Sequence, residues 1–309
     1  MRQENFNFTA GDRENIFVYR WAPEDKSNTK VALQIAHGMA EHAGRYKNFA
    51  EFLTSRGFIV YANDHRGHGK TAGSIENVGY IADDHGWDIV VNDTHELTNI
   101  IKKENPGLPV FILGHSFGSL ILRDYISSFG NDINGAIMSG TSADPGLLGV
   151  IGKILAKRET KKKGKRAKSP LLDNLCFGKF NKAFKPNRTD FDWLSKDIEN
   201  VDNYIKDPYC GDVFSAVFYY DLIVGVKKIN SFDSIDRIPK DLPIFLLAGQ
   251  YDPVGNNTKD VSKVYKAFKK AGIKDVNYKF YSGARHEILN DFRKDTVYKD
   301  ILEWINNHL

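Results

Sequence analysis

Short runs of apolar residues recur along this chain, separated by segments whose apolar residues repeat at helical spacing. Apolar runs bounded by turn residues are typical of strands. They predict strands at residues 6–9, 16–21, 31–36, 58–62, 110–113, 135–138, 243–248 and 276–281. Helices are predicted at residues 46–55, 87–104, 259–271 and 296–308, and directly after the 110–113 strand. Strands separated by helices favour an α/β fold with a mostly parallel central sheet flanked by helices.

This alternation stops after residue 142 and returns near residue 236. The segment between shows helical patterns, loops and many aromatic residues, but no convincing buried strand. An interruption between two halves of one sheet indicates an insertion. We therefore predict a core of residues 1–142 and 236–309, and a mainly helical cap at residues 143–235.

The segment VFILGHSFGSL, residues 110–120, joins a buried strand to a helix through a G-x-S-x-G turn. In that context Ser116 is a candidate nucleophile, because a strained turn presents its hydroxyl above the sheet. Gly114 and Gly118 are then needed, since a Cβ at either position would crowd the turn. The other interpretation is a serine in an ordinary loop, which the strand–turn–helix context disfavours.

A serine hydroxyl needs a base to take its proton, and nine histidines are available. His115 adjoins the nucleophile, but its side chain should leave the turn in another direction. His65 and His68 precede the turn in the sequence, and His308 lies in the predicted last helix. His286 follows the last predicted strand and fits the order Ser, acid, His.

Asp252 directly follows the 243–248 strand and is the candidate acid that orients His286. A turn former before Pro253 is the alternative, since Asp-Pro is common turn chemistry. An oxyanion needs preorganised donors, and we predict the backbone N–H groups of Phe117 and Met39 for this role. His37 is expected to support the loop that carries Met39.

Together with these motifs, the segments HGMAEHAGRY at residues 37–46 and DHRGHG at residues 64–69 resemble a known family. The chain resembles the monoacylglycerol lipase/lysophospholipase (serine aminopeptidase S33-like) branch of the α/β-hydrolases. The resemblance implies an α/β-hydrolase fold, a Ser116–Asp252–His286 triad, and oxyanion donors at Met39 and Phe117. The branch more often has GHSMGG where this chain has GHSFGS. We therefore expect Phe117 to change the floor of the acyl pocket and to keep its backbone donor.

The start of the predicted cap combines an apolar helix with a basic run. Leu147, Leu148, Ile151, Ile154 and Leu155 recur at helical spacing, and the basic residues of the segment 157–168 follow with only Glu159 opposing them. One interpretation is a helix packed over the active site and a solvated loop. The other is an element that contacts a membrane surface, which would make the protein peripheral.

Composition excludes several classes of protein. The first residues lack the apolar core of a secretory signal, and no apolar run approaches the roughly 18 residues of a membrane span. Two cysteines, Cys176 and Cys210, suggest neither disulfides nor a zinc site. A net charge of +4 is too small to imply nucleic acid. We expect a cytoplasmic protein without metal or cofactor.

The first functional hypothesis is a serine hydrolase that cleaves lipid monoesters, such as monoacylglycerols or lysophospholipids, through an acyl-enzyme. A second is a short-chain or aromatic carboxylesterase, or an aminopeptidase-like amidase. An aminopeptidase needs a cap carboxylate for the substrate amine, and Glu199, Asp202 and Asp207 are available. A third is a catalytically silent binding protein, which the complete set of triad residues disfavours.

Overall fold

The structure is a computed structural model that describes residues 1–309 except the side chain of Lys26. Eight strands form one sheet in the order β1-β2-β4-β3-β5-β6-β7-β8. They are β1 (Arg2–Thr9), β2 (Asn15–Ala22), β3 (Val31–Ala36), β4 (Phe58–Asn63), β5 (Val110–His115), β6 (Gly135–Ser139), β7 (Ile244–Gly249) and β8 (Val276–Tyr281). β1 and β2 pair antiparallel, and the sheet is parallel from β4 to β8. The α/β-hydrolase fold with a mostly parallel sheet is thereby confirmed.

Ten α-helices accompany the sheet among the described residues. They are α1 (Lys47–Thr54), α2 (Gly86–Glu104), α3 (Phe117–Phe129), α4 (Leu147–Lys163), α5 (Pro170–Phe177), α6 (Ile198–Lys206), α7 (Ala216–Ile229), α8 (Phe232–Asp236), α9 (Lys259–Lys270) and α10 (Lys294–Asn306). In the core, the number and order of the helices agree with the sequence prediction, since α1, α2, α3, α9 and α10 correspond to the five predicted helices. The last helix begins and ends two residues earlier than the predicted 296–308.

Apolar side chains cover both faces of the sheet. On one face, residues of β3 to β7 pack against α2, α3, α7 and α9. On the other face, the alternate residues of the same strands pack against α1 and α10. Every residue of β3, β4, β5, β6 and β7 is buried. This double coverage explains why these strands read as continuous apolar runs.

The first strand is longer than the sequence indicates. It begins at Arg2 and not at Phe6, and it pairs with β2 along its whole length. Because β1 lies at the edge of the sheet, its polar side chains remain exposed while its backbone forms the ladder. A prediction from apolar residues therefore misses the polar half of this strand.

The helices α4 to α8 lie between β6 and β7, in the segment where the cap is predicted. Within the described residues of this segment, β structure is limited to one isolated bridge between Lys168 and Ser215. Of these helices, α7 packs against α2 and α3 of the core. The division into a core and a cap at the predicted bounds stays a prediction.

A buried arginine holds the two ends of this segment together. Arg123 of α3 donates hydrogen bonds to Ser142 O at 2.7 Å, to Ile229 O at 3.3 Å and to Asn230 Oδ1 at 2.7 Å. Its burial lowers the pKa of Arg123 to about 9. The point at which the chain leaves β6 and the end of α7 therefore both lie beside the Arg123 side chain.

Candidate active site

Ser116 lies in the tight turn between β5 and α3. Its backbone has φ 49° and ψ −116°, a conformation that is strained for a residue with a Cβ. The Ser116 N–H donates to Ser139 O at 2.8 Å, which fixes the turn against β6. The Phe117 N–H belongs to the first turn of α3 and therefore has no partner within the helix.

The two glycines of the turn are required by close packing. A Cβ on Gly114 would overlap the backbone of Gly118 and Ser119. A Cβ on Gly118 would overlap the carbonyl groups of Ala36 and His37. The predicted need for glycine at both positions is confirmed.

His286 and Asp252 meet beside this turn. The His286 Nδ1 lies 2.9 Å from Asp252 Oδ1, and both side chains are buried. Asp252 Oδ1 also accepts the Val254 N–H at 2.9 Å. Burial alone would lower the pKa of His286, but the charge of Asp252 and the hydrogen bond to it raise the pKa above its ordinary value. Ser116 and His286 line the same cavity.

The loop of residues 37–41, called the oxyanion loop below, lies against the nucleophile turn. A Cβ on Gly38 would lie 3.3 Å from the Cβ of Ser116. The Gly38 N–H donates to Glu41 Oε1 at 2.7 Å, so Gly38 is already engaged. Met39 lines the cavity with Ser116, and its role as an oxyanion donor stays a prediction.

Three buried histidines support the oxyanion loop from below. The His65 N–H donates to His37 Nε2 at 2.9 Å, and His65 Nε2 donates to His37 O at 3.2 Å. With Nε2 accepting, His37 Nδ1 carries the proton and donates to Gly38 O at 2.7 Å. His68 packs 5.1 Å from the His37 ring. Burial lowers the pKa of His65 to about 3, with a smaller contribution from the neighbouring His68.

The remaining predicted residues occupy less direct positions. His115 is the last residue of β5, and its ring lies 4.8 Å from that of His286. Burial lowers the pKa of His115 to about 4. Phe117 is 3% exposed and packs 6.0 Å from Trp87 and 5.5 Å from Phe218. The expectation that Phe117 forms the floor of the acyl pocket is wrong, because its side chain points into the core between α2 and α7.

A cavity of about 480 Å³ opens above Ser116. Its aromatic lining is Phe177, Phe191, Trp193 and Tyr204. The aromatic residues at positions 214–220 of the predicted cap include Phe214, Phe218 and Tyr219, which are buried in the core of the protein. These three residues therefore contribute to internal packing and are absent from the described lining of the cavity.

Carboxylates also line this cavity. They are Glu41, Asp173, Asp190, Asp212 and Glu287, and none of the described lining residues is Lys or Arg. The candidates Glu199, Asp202 and Asp207 are absent from that described lining. Asp202 pairs with Arg188, and Asp207 pairs with His42. The sequence places Glu41 and Glu287 next to motif residues, but no pattern in it shows that they meet.

One cluster of metal-ligating side chain types occurs among the described residues. His42, Asp207 and Cys210 have potential ligand atoms within 4.8 Å of one another, which their spacing in the sequence does not suggest. His42 Nδ1 accepts the Gly44 N–H at 3.2 Å, so Nε2 carries the proton that binds Asp207 at 2.9 Å. This hydrogen-bonding pattern occupies the nitrogen that a metal would need.

Most apolar side chains of α4 face solvent, whereas Leu155 and Ala156 pack against the core. Leu147 is 82% exposed and Leu148 is 74% exposed, and Val150, Ile151 and Ile154 are exposed as well. The basic run that follows has more acidic partners than Glu159 alone, because Lys165 pairs with Asp84 and Lys168 with Asp212. No described helix combines the length and apolarity that crossing a bilayer requires.

Comparisons with known proteins agree with this architecture. The family described as serine aminopeptidase, S33 matches residues 27–293. A monoacylglycerol lipase of Mycolicibacterium smegmatis is 29% identical over 94% of this chain and 92% of its own length. The human monoglyceride lipase is 28% identical over 96% of this chain and 88% of its own.

The crystal structure of a thermostable carboxyl esterase from Bacillus coagulans, in complex with glycerol, superposes with a TM-score of 0.91 at 28% identity. The match covers 100% of this chain and 99% of that chain. The family match covers most of the sequence, including the strands β3 to β8 and the turn that carries Ser116. The chain therefore belongs to the serine aminopeptidase S33 family of α/β-hydrolases and is a serine hydrolase.

Proposed function

We propose that the protein hydrolyses carboxylic esters of lipids that carry one acyl chain, such as monoacylglycerols or lysophospholipids. The observation that carries this proposal is Ser116, held in a strained turn on the same cavity as the hydrogen-bonded pair of His286 and Asp252. The names of the relatives support the lipid substrate.

In this reaction the Ser116 hydroxyl attacks the ester carbonyl while His286 Nε2 takes its proton. Asp252 fixes the Nδ1–H tautomer and stabilises the imidazolium that forms. The N–H groups of Phe117 and Met39 bind the oxyanion. His286 then protonates the leaving alcohol, and a water molecule releases the acyl group by the same route. The chemistry needs no cofactor.

A chain-length series tests this proposal. We expect turnover of 1-monoacylglycerols or lysophosphatidylcholine to exceed that of two- to four-carbon p-nitrophenyl esters. Ser116→Ala should abolish turnover and labelling by a fluorophosphonate, and circular dichroism serves as its folding control. A preference for the short esters would favour a small-ester hydrolase. Labelling without turnover of any ester would refute the esterase assignment.

The exposed face of α4 has the chemistry of a contact with a lipid surface. Leu147, Leu148 and Ile151 present apolar area to solvent, and Lys161, Lys162 and Lys163 follow in the last turn. Apolar burial in the acyl region and attraction to anionic headgroups then act together. This contact would deliver a membrane lipid to the cavity and make the protein peripheral.

Vesicle co-sedimentation tests this contact. The double variant Leu147→Ser and Ile151→Ser should bind phosphatidylserine-containing vesicles at least about 100-fold more weakly, because the two inserted side chains together contribute roughly 3–6 kcal/mol. Phe232→Ser is the matched control, since Phe232 is 73% exposed on α8. Equal binding by wild type and the double variant would rule out α4 as the contact.

The carboxylates of the cavity favour a second candidate, an aminopeptidase-like amidase. Asp173 is half-buried and accepts a hydrogen bond from the Tyr219 hydroxyl at 2.8 Å, and burial raises its pKa. A carboxylate that has no cationic partner among the described residues suits a substrate amine. Release of p-nitroaniline from aminoacyl anilides, lost in Asp173→Asn while ester turnover persists, would support this activity.

A further inference from the structure

Arg45 is largely buried between two carboxylates that come from opposite ends of the chain. Its guanidinium donates to Glu41 Oε2 at 2.6 Å and to both oxygens of Glu287 at 2.6 and 2.7 Å. Burial alone would lower the pKa of Arg45, but Glu287 and Glu41 raise it well above its ordinary value. Burial alone would likewise raise the pKa of Glu287, but Arg45 lowers it.

Each carboxylate is attached to one part of the catalytic apparatus. Glu41 Oε1 accepts the Gly38 N–H at 2.7 Å and the Tyr46 hydroxyl at 2.8 Å, which fixes the oxyanion loop. Glu287 directly follows His286 in the sequence. Arg45 therefore connects the loop that presents Met39 with the loop that presents the base.

The helix α6 supplies a third attachment. Asn200 donates to Glu287 Oε2 at 2.8 Å and accepts from Arg45 Nη2 at 3.1 Å. The Tyr204 ring lies 4.9 Å from the guanidinium, and its hydroxyl donates to Ala40 O at 2.8 Å. Both the oxyanion loop and the His286 loop are thus bound to one helix of the predicted cap.

We propose that Arg45 is a positioning residue through which α6 holds the oxyanion loop and the His286 loop in their working arrangement. This inference rests on the proposed roles of Ser116, His286 and the oxyanion loop. The network makes the catalytic geometry depend on the position of α6 against these two loops. It also sets the charge beside His286, because Arg45 balances two carboxylates there.

The charged and titratable groups that face His286 come from several elements. Asp252 follows β7, Glu287 is adjacent in sequence, Glu41 lies in the oxyanion loop and His115 ends β5. Asp252, Glu287 and Glu41 each favour the imidazolium, in that order. Removing the charge of Glu287 should therefore make His286 easier to deprotonate.

The rate of fluorophosphonate labelling as a function of pH tests the proposal independently of any ester. Labelling of Ser116 needs neutral His286, so its acid limb reports the pKa of that histidine. We expect Glu287→Gln to move the midpoint down by roughly one pH unit, the order expected for one charge in a partly screened site. Asn200→Ala should lower the plateau rate roughly tenfold and leave the midpoint unchanged.

Three further variants separate positioning from folding. Asp93→Asn breaks another buried bidentate ion pair, in which Arg66 donates to Asp93 at 2.7 and 2.9 Å. This variant should lose stability without a shift of the labelling midpoint. Asp202→Ala alters a partly exposed position of α6 that pairs with Arg188 and not with the Arg45 network, and it should leave the plateau as in wild type. Arg45→Lys retains the charge and should retain the midpoint while lowering the plateau.

The outcomes distinguish this inference from the proposed function. A shifted midpoint in Glu287→Gln with a reduced plateau in Asn200→Ala supports positioning, even if no ester is turned over. Wild-type midpoints and plateaus in both variants, with stability losses like that of Asp93→Asn, would show that the network is only structural. Failure of the wild type to react with the fluorophosphonate would overturn both.

Discussion

Acid should destabilise this protein through its buried histidines, and His68 offers the clearest test. The His68 ring is fully buried and packs 4.8 Å from Phe214 and nearly parallel to Phe117 at 6.2 Å. Its Nδ1 donates to Arg66 O at 2.9 Å, and Nε2 has no partner among the described residues. Burial lowers the pKa of His68 to about 4.

The sign of the effect follows from proton linkage. The unfolded chain has an ordinary histidine pKa of about 6.5, so it binds a proton as the pH falls below that value while folded His68 stays neutral. Stability is therefore unaffected above about pH 6.5 and falls with decreasing pH, until His68 also protonates near pH 4. At pH 5 the loss from this one residue is about 2 kcal/mol relative to pH 7.5.

The variant His68→Phe keeps an aromatic ring and removes the titration. At pH 7.5 it loses the bond to Arg66 O, worth about 1 kcal/mol. At pH 5 the variant should recover about 2 kcal/mol relative to wild type, so the order of stabilities reverses. Urea unfolding at both pH values measures this difference.

His85→Asn is the matched control, because His85 is exposed and its removal should leave the pH dependence as in wild type. The reasoning is refuted if His68→Phe changes the free energy of unfolding by the same amount at pH 5 and pH 7.5.

Three further predictions concern the nucleophile turn and its partners. Gly118→Ala should lower stability by at least about 3 kcal/mol and abolish labelling, because the added Cβ overlaps backbone oxygens of β3 and the oxyanion loop; a soluble, labelled variant would contradict the turn geometry. Phe117→Ala should cost about 3–5 kcal/mol in thermal unfolding and leave acyl-chain preference unchanged; a changed preference would restore the ring to the acyl pocket. Asp252→Asn should reduce kcat roughly 10⁴-fold with little change in KM, measured on the preferred ester; a small loss would require another orienting acid.

Much of the core could be predicted from the sequence because its physical signals are local. The predicted bounds of β3 and β8 agree with the structure, since each is an extended segment between turn residues. The turn around Ser116 is equally local, because the glycines, the strand and the helix are adjacent in sequence. The polar half of β1 is missed, because edge pairing uses the backbone and not apolar side chains.

The network around Arg45 could not be predicted, because it depends on distant contacts. Arg45 and Glu287 lie 242 residues apart, and isolated charges in a sequence indicate solvated side chains by default. Similarly, the sequence shows that α4 has an apolar stripe but not which way that stripe faces. The stripe is exposed because α7 packs against another surface of α4.

The arrangement around Arg123 has a consequence for how such a protein can diversify. Because Ser142 and Asn230 both contact this side chain, the segment between them starts and finishes at nearly the same place. A segment with adjoining ends can be exchanged for another of different length without displacing β6 or β7. Grafting the corresponding segment of a relative onto this sheet is therefore a direct route to altered selectivity, provided that Arg123 is retained and that the new segment keeps the α6 contacts of Asn200 and Tyr204 with the His286 loop and the oxyanion loop.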